Sequence, residues 1–504
     1  MGLYDYTIYN IIKRNAFVYP DRLGWVFNDE QVTHAQFKER VDRLARGLLD
    51  AGLERGDRIG ILALNSLNFA YLYGAAARIG AIMLPINWRL QPDEIEYVIS
   101  DCSPKLMFAG PEFQAQVKLL VSKFDFIKKS YSLGAAADGF AAFDQLMDND
   151  GQCPDQDVRS EDAYVIIHTA AVAGKPRGAT LAHQGLITAN MQGMYIWDLT
   201  EKDAHLFVLP MFHVAGLGSA LTAMQAGGLN IIMSRFDAEQ ALKNIEKYKV
   251  SFIVEFTPML SSILDKNEEI KCDISSLRAI GGLDSPETAK RYQDLTGGTF
   301  WTAFGQSETS GFVTYAPYFE KLGSAGLPSH MAEVKLVNET GEFVETGQVG
   351  EIVVRGPMVF KGYWGLDKDN EYTFRDGWHH TGDMGRYDEE GYLWYAGRMP
   401  EKELIKPGGE NVYPAEVEKA VLEHPAVKEV SVIGVPDKQW GEAIKAVCVL
   451  KEGMALVEGD LIEFVACKIA RFKKPKHVVF VPELPKNAQG IINRIKVKEE
   501  HGKA

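Results

Sequence analysis

The chain has 504 residues, of which 46% are hydrophobic and 24% charged, an ordinary globular composition too long for one compact core, so at least two folded units are expected. A formal net charge of −14 argues against nucleic acid as the main partner, because backbone-phosphate binding needs a basic face. Five scattered cysteines without a CxxC pair, an amino terminus unlike a secretory signal and no apolar run of about 18 residues predict a soluble, cytoplasmic, disulfide-free protein with no transmembrane segment.

Residues 57–86 read strand, helix, strand: DRIGILAL, then NSLNFAYLYGAAARIG, then AIMLPI. The Ala-rich GAAADGFAA (134–142) reads as a loop. Apolar runs return at VSFIVEF (250–256), LRAIGG (277–282) and GTFWTAF (298–304), separated by helix-length segments. This alternation predicts an α/β fold of parallel-rich sheets covered by helices. From Glu333 the pattern changes to AEVKLVNETGEFVETGQVGEIVVRG, short alternating strands that predict an antiparallel β-subdomain over about 330–397. After Gly397 the chain is charged, then Gly-rich, then helical from Pro414, with strands at 427–435 and 443–450 and a helix through DLIEFVACKIARF (460–472). The expected division is a large domain 1–397 and a small mobile α+β domain 398–504, hinged at about 398–402.

HTAAVAGKPRGATLAH (168–183) is the segment most suited to phosphate: small residues permit close backbone approach, and Lys175 and Arg177 bring positive charge. It is not a Walker A loop, since Pro176 stands where a magnesium-binding hydroxyl would follow Lys175. A basic surface turn is the alternative. Further along stand LPMFHVAG (209–216), FGQSE (304–308), GEIVVRGPMVFKGYW (350–364), DGWHHTGD (376–383), YAGR (395–398), GGENVYPAEVE (408–418) and GVPDKQWGE (434–442), with NWRLQPDE (87–94) before them all. In this order the motifs resemble the AMP-forming acyl-CoA synthetases of the acyl-adenylate-forming superfamily, over nearly the whole chain.

The resemblance implies ATP, CoA and a small-molecule carboxylic acid as substrates, Mg²⁺ as cofactor, and rotation of the C-terminal domain between adenylation and thioester formation. It implies Glu308 as the magnesium ligand, Ser307 on the α-phosphate, and Thr169, Gly174, Lys175, Arg177 and Gly178 in the phosphate loop. Phe304, followed by Gly305 and Gln306, takes the place of an adenine-stacking aromatic, and Gly281, Gly282 and Leu283 run along the adenine. Asp383 matches the ribose carboxylate with Arg398 beside it, and His213 lies near the acyl group. Gly408, Gly409 and Glu410 match the passage for CoA. Read from residue type alone, the alternatives are a core histidine for His213, helix-capping carboxylates for Asp383 and Glu308, a solvated hinge charge for Arg398, and core aromatics for Trp378 and Tyr363. The acid is expected between residues 213–228 and the approach to Phe304, where Ala and Gly leave room for an apolar acyl or aryl group. A peripheral membrane contact and a homo-oligomer stay open.

Three departures stand out. Ala170, Ala171, Val172 and Ala173 replace a hydroxyl- and glycine-rich stretch of the family's phosphate loop. The hinge is longer, with Lys402 at the pivot when the count runs back from Leu404. In PKNAQGIINRIK (485–496), Ile491 occupies the place of a lysine that reaches the carboxylate and α-phosphate during adenylation. Losing one such preorganised donor costs on the order of 10²–10³-fold in rate. Both site departures fall on the ATP-using half, so three readings are carried forward: an acyl-CoA synthetase with slow adenylation, a thioester-forming enzyme fed with preformed acyl-AMP, and a non-catalytic AMP- or acyl-CoA-binding homologue.

Overall fold

The computed structural model describes residues 2–169, 176–398, 404–486 and 492–503. Two large sheets dominate. One is built from parallel strands Arg58–Leu62, Ile82–Pro85, Leu106–Ala109 and Lys129–Ser132, and adds Ala163–Thr169 beside Ile82–Pro85. The last of these turns back antiparallel into Arg177–Ala182, with Thr169 opposite Arg177. The second sheet runs parallel through Ala204–Phe207, Phe252–Phe256, Ala279–Leu283 and Thr299–Gln306, then antiparallel into Gly311–Pro317. Strands covered by helices on both faces must be apolar throughout, as in LMFA (106–109), which is wholly buried.

The helices Leu67–Ile79 and Val214–Ala226 are apolar nearly all round and lie between sheets. Each ends on a glycine in the left-handed region, Gly80 and Gly227. The segment from Glu333 forms the expected antiparallel sheet, with Glu333–Val337, Gly350–Arg355, Trp378–Tyr387 and Leu393–Arg398. Beyond it, Val427–Asp437, Gly441–Leu450 and His477–Phe480 make a separate three-stranded sheet with its own apolar core, covered by Pro414–Leu422 and Glu458–Ala466.

Two expectations need correction. The helix expected through 472 ends at Ala466, because the chain turns to bring Ile469 and Lys473 onto the large domain. The segment 134–142 is not all loop: Ala141–Ala142 extends the first sheet by pairing with Tyr131 and Ser132.

Candidate active site

Asp383 lies in the strand Trp378–Tyr387, fully buried and directly opposite Arg398 in the antiparallel register. It is therefore no helix cap, and Arg398 is no solvated hinge charge. Arg398 Nε donates to Asp383 Oδ1 at 2.6 Å, Tyr395 Oη to the same oxygen at 3.0 Å, and Gln306 Nε2 to Oδ2. Burial alone would lower the Arg398 pKa, but Asp383, with Tyr413, Tyr395 and Glu308, outweighs it and holds the guanidinium above its ordinary value.

Glu308 sits in the short 3-10 turn Ser307–Thr309 that follows the strand Thr299–Gln306. Its Oε1 accepts from Thr169 Oγ1 at 3.1 Å and from Tyr363 Oη at 2.9 Å. Arg177 stacks over the Tyr363 ring, 3.9 Å from its centroid, and donates to its hydroxyl at 3.2 Å. The two ends of the phosphate-loop hairpin, Thr169 and Arg177, are thus tied to Glu308. Tyr363 is buried, as expected of a core aromatic, yet its hydroxyl serves the site; Trp378 is a core aromatic without qualification, clustered with Val337 and Val353. Both hydrogen bonds to Glu308 land on Oε1, which leaves Oε2 for a hard cation such as Mg²⁺.

Gly281, Gly282 and Leu283 form the end of a strand between Phe252–Phe256 and Thr299–Gln306, with Leu283 exposed. Ser307 opens the turn that carries Glu308, and Gly305 and Gln306 close the strand before it, paired with Phe312 and Gly311. Phe304 is buried in an apolar cluster with Val313 and Leu393, and its ring centroid lies 6.3 Å from that of Tyr395. Gly178 is packed against Ile166 and His168 in the hairpin.

His213 caps the helix Val214–Ala226, its Nδ1 accepting from Ala215 N at 3.1 Å. Burial lowers its pKa, opposed by Glu410. A neutral ring whose Nδ1 accepts carries its proton on Nε2, so His213 presents a donor to an oxygen.

The C-terminal unit brings its Gly-rich turn to this site. Gly408 (φ 57°) and Gly409 (φ 82°) occupy the left-handed region, and a Cβ on Gly409 would stand 2.9 Å from the Phe256 ring. Gly408 N donates to Trp440 O at 3.0 Å, and Glu410 pairs with Arg89 at 2.7 Å. Lys406 Nζ lies 6.0 Å from the Tyr395 ring, its pKa lowered by burial and partly restored by Asp383. Tyr413 is buried among Arg398, Glu308 and Arg177. Gly174, Lys175, Lys402 and Ile491, together with Ala170, Ala171, Val172 and Ala173, lie outside the described residues.

Tyr395, Lys406, Tyr413 and Arg89 were not singled out from sequence, although each stands in or beside a quoted motif, and Tyr363 was read only as a core aromatic. For Lys406, Tyr413 and Tyr363 the signal was a cation or polar aromatic next to a motif proline or glycine; Arg89 and Tyr395 had no such neighbour.

Beside His213, a cavity of ≈ 30 Å³ opens between Val214–Ala226, His183–Ile196 and the segment after Glu308. One wall is Val214 to Thr222, within the stretch 213–228, and the other runs from Ser310 to Tyr315.

A buried carboxylate clamped by arginine, a second carboxylate tied to both strands of the Ala163–Ala182 hairpin and a Gly-rich turn docked nearby form one polar centre where the two units meet. The chain belongs to the AMP-binding enzyme family: that family's pattern matches residues 12–364 and the pattern of its C-terminal domain matches 416–490. Within it, the chain falls with the AMP-forming acid–CoA ligases. It is 34% identical to the indoleacetate–CoA ligase of Aromatoleum aromaticum over 97% of each chain, and 34% identical to the feruloyl-CoA synthase of an Amycolatopsis species over 94% of each. The o-succinylbenzoate CoA synthetase of Bacillus subtilis, solved with a product analogue, is 28% identical and superposes with a TM-score of 0.83, over 97% of this chain and 98% of that one. Among the described residues, no helix is long and apolar enough to cross a membrane.

Proposed function

We propose that the chain joins an aryl or fatty carboxylic acid to CoA through an acyl-adenylate, in the cytoplasm, with its adenylation half slow and its thioester-forming half retained. In the first half, a carboxylate oxygen attacks the α-phosphorus of ATP and pyrophosphate leaves; in the second, the CoA sulfur attacks the acyl carbon, AMP leaves and the thiol proton is released. Glu308 would hold Mg²⁺, which when bound neutralises phosphate charge. Asp383 would accept the ribose hydroxyls beside Arg398, Phe304 and the strand end at Gly281–Leu283 would flank the adenine, and His213 Nε2–H would donate to an acyl oxygen. Gly408 and Gly409 would admit the CoA arm. The units 1–397 and 398–504 would pivot at about 398–402.

The observation that supports this reading is the docking of residues 406–413 against Arg89, Phe256 and the Asp383–Arg398 pair, with Tyr413 close to Glu308. On either side of residues 487–491, Lys486 pairs with Glu429 and Arg494 with Glu418, both inside the C-terminal unit. A second reading, use of preformed acyl-AMP only, is favoured by Ile491 and by Ala170, Ala171, Val172 and Ala173.

The test compares acid-dependent ATP–pyrophosphate exchange with thioester formation from synthetic acyl-AMP and CoA, in the native chain and in Ile491→Lys. Exchange should rise on the order of 10²-fold in the variant, with thioester formation little changed. Robust exchange by the native chain would sink the slow-adenylation assignment. Failure of both reactions across a broad acid panel would leave only the non-catalytic binding reading.

A further inference from the structure

Outside the site already described, three side chains of different chemistry converge at the base of the phosphate-loop hairpin. Asp101 and Cys102 are the last two residues of the helix Pro92–Cys102, and His168 lies in the strand Ala163–Thr169. His168 Nε2 stands 2.9 Å from Asp101 Oδ2, although the two residues are 67 apart in the chain. Cys102 Sγ stands 3.8 Å from the same oxygen. One ligand atom from each residue, a nitrogen, an oxygen and a sulfur, lies within 4.8 Å of the other two. The helix end that carries the pair is fixed from behind: Arg58 donates to Cys102 O at 2.7 Å, Gly56 O at 3.1 Å and Ser103 O at 3.2 Å. Its charge opposes a second cation nearby, but Asp101 and a Cys102 thiolate together bring two negative charges against it.

The separations are close to what a metal ion demands. Zn²⁺ with bonds of about 2.0–2.3 Å in a tetrahedron sets its ligand atoms about 3.3–3.7 Å apart. The sulfur–oxygen separation is within about 0.2 Å of that, nitrogen and oxygen must open by about 0.4 Å, and sulfur and nitrogen must close by about 1.3 Å at most. His168 Nδ1 is buried and has no hydrogen-bond partner among the described residues, so no bond on the far side of the ring resists the movement. Cys102 is 1% exposed and the His168 side chain 7%, whereas the Asp101 side chain, at 19%, opens the cluster to solvent. Three protein ligands and one water from that opening complete four-fold coordination. A thiolate and an imidazole select zinc-class ions, while Mg²⁺ and Ca²⁺ take oxygen.

We propose that Asp101, Cys102 and His168 form a binding site for a zinc-class divalent cation, separate from the Mg²⁺ position at Glu308, with the Cys102 thiol proton passing to solvent as the metal–sulfur bond forms. His168 adjoins Thr169, which donates to Glu308 at 3.1 Å, so the bound ion fastens the strand that carries one end of the phosphate loop to the helix Pro92–Cys102.

Titration of the full, reduced chain with Co²⁺, with no nucleotide, acid or CoA present, tests the site without requiring either half-reaction. A thiolate-to-Co²⁺ charge-transfer band in the near ultraviolet should saturate at about one equivalent. Zn²⁺ should abolish the band by displacement, and excess Mg²⁺ should leave it. Cys102→Ser should remove the band, and His168→Gln should weaken Co²⁺ at least about tenfold, the cost of losing even a group behind a ligand. A chain carrying Cys153→Ser, Cys272→Ser and Cys467→Ser, which lacks the thiols that are not buried, should keep it. Zn²⁺ should raise the Tm of the native chain and leave that of Cys102→Ser unchanged. No charge-transfer band in the native chain, a band that survives Cys102→Ser, or a band lost in the triple variant would overturn the proposal. If Cys102→Ser does not fold, the native and triple-variant titrations decide between these outcomes by themselves.

Discussion

The two carboxylates at the centre of the site are treated in opposite ways. Asp383 is offset: a guanidinium, a phenol and an amide all donate to it, and none of its charge is left to attract a cation. Glu308 receives two neutral hydroxyls on one oxygen and keeps its charge on the other. On the proposed roles, Asp383 for the ribose and Glu308 for Mg²⁺, this difference yields a differential prediction. Tyr363→Phe removes one hydrogen bond to a charged group, worth about 1.5–3 kcal/mol, and loosens Glu308 and Arg177 together. MgATP affinity should fall at least about tenfold while AMP affinity, measured without Mg²⁺, stays within twofold of native. Asp383→Asn should weaken both nucleotides alike. Equal losses for MgATP and AMP in Tyr363→Phe would remove the distinction between the two carboxylates.

At the scale of elements, strands with continuous apolar runs and the switch to alternating strands at Glu333 were legible, because burial on two faces or one writes itself into sequence period. Asp383, Arg398 and Glu308 were legible only through ordered motifs; nothing local announces that Arg398 faces Asp383, which is a property of register. Pairs across the two units were illegible, since Arg89 and Glu410 lie 321 residues apart and Lys473 and Glu94 lie 379 apart. The last pair belongs to a three-member lock. Lys473 is 5% exposed and donates to Glu94 on the large domain and to Glu416 on its own unit at 2.6 Å. Burial lowers the Lys473 pKa, but Glu416 and Glu94 more than compensate, and it stands above its ordinary value. Lys473→Met would leave two half-buried carboxylates facing each other without a donor, at a cost of about 1–3 kcal/mol. Thioester formation from acyl-AMP should drop, and limited proteolysis should release the C-terminal unit faster, with ATP–pyrophosphate exchange in an Ile491→Lys background spared. Unchanged proteolysis would mean that the lock does not hold the docked arrangement.

Across the whole molecule, the large domain carries imidazoles that folding keeps neutral. His183 is fully buried beneath the first helix, its Nδ1 accepting from Ile8 N at 3.4 Å, and burial lowers its pKa to about 4. His205 is buried likewise, its Nδ1 bonded to Asn230 Oδ1 at 2.8 Å, and burial outweighs that contact to give about 4 as well. Unfolded, each would titrate near 6.5. Between pH 6.5 and 4 the unfolded chain therefore binds protons that the native chain refuses, so stability falls as pH falls through that window, is whole above it, and loses nothing more from these two groups below it. At about 1.4 kcal/mol per pH unit, each imidazole removes on the order of 3 kcal/mol across the window. Because His183 ties the helix Ile8–Val18 to the first sheet and His205 lies within the second, the loss should appear as cooperative unfolding of the large domain rather than release of the C-terminal unit. Thermal unfolding followed at half-unit steps from pH 7.5 to 4 should show Tm level above 6.5 and falling below it. His205→Gln keeps a partner for Asn230 without a titrating group and should flatten the slope by about half of what the two imidazoles contribute. Parallel slopes for the native chain and His205→Gln would show that the carboxylates, not the buried imidazoles, set the acid limit.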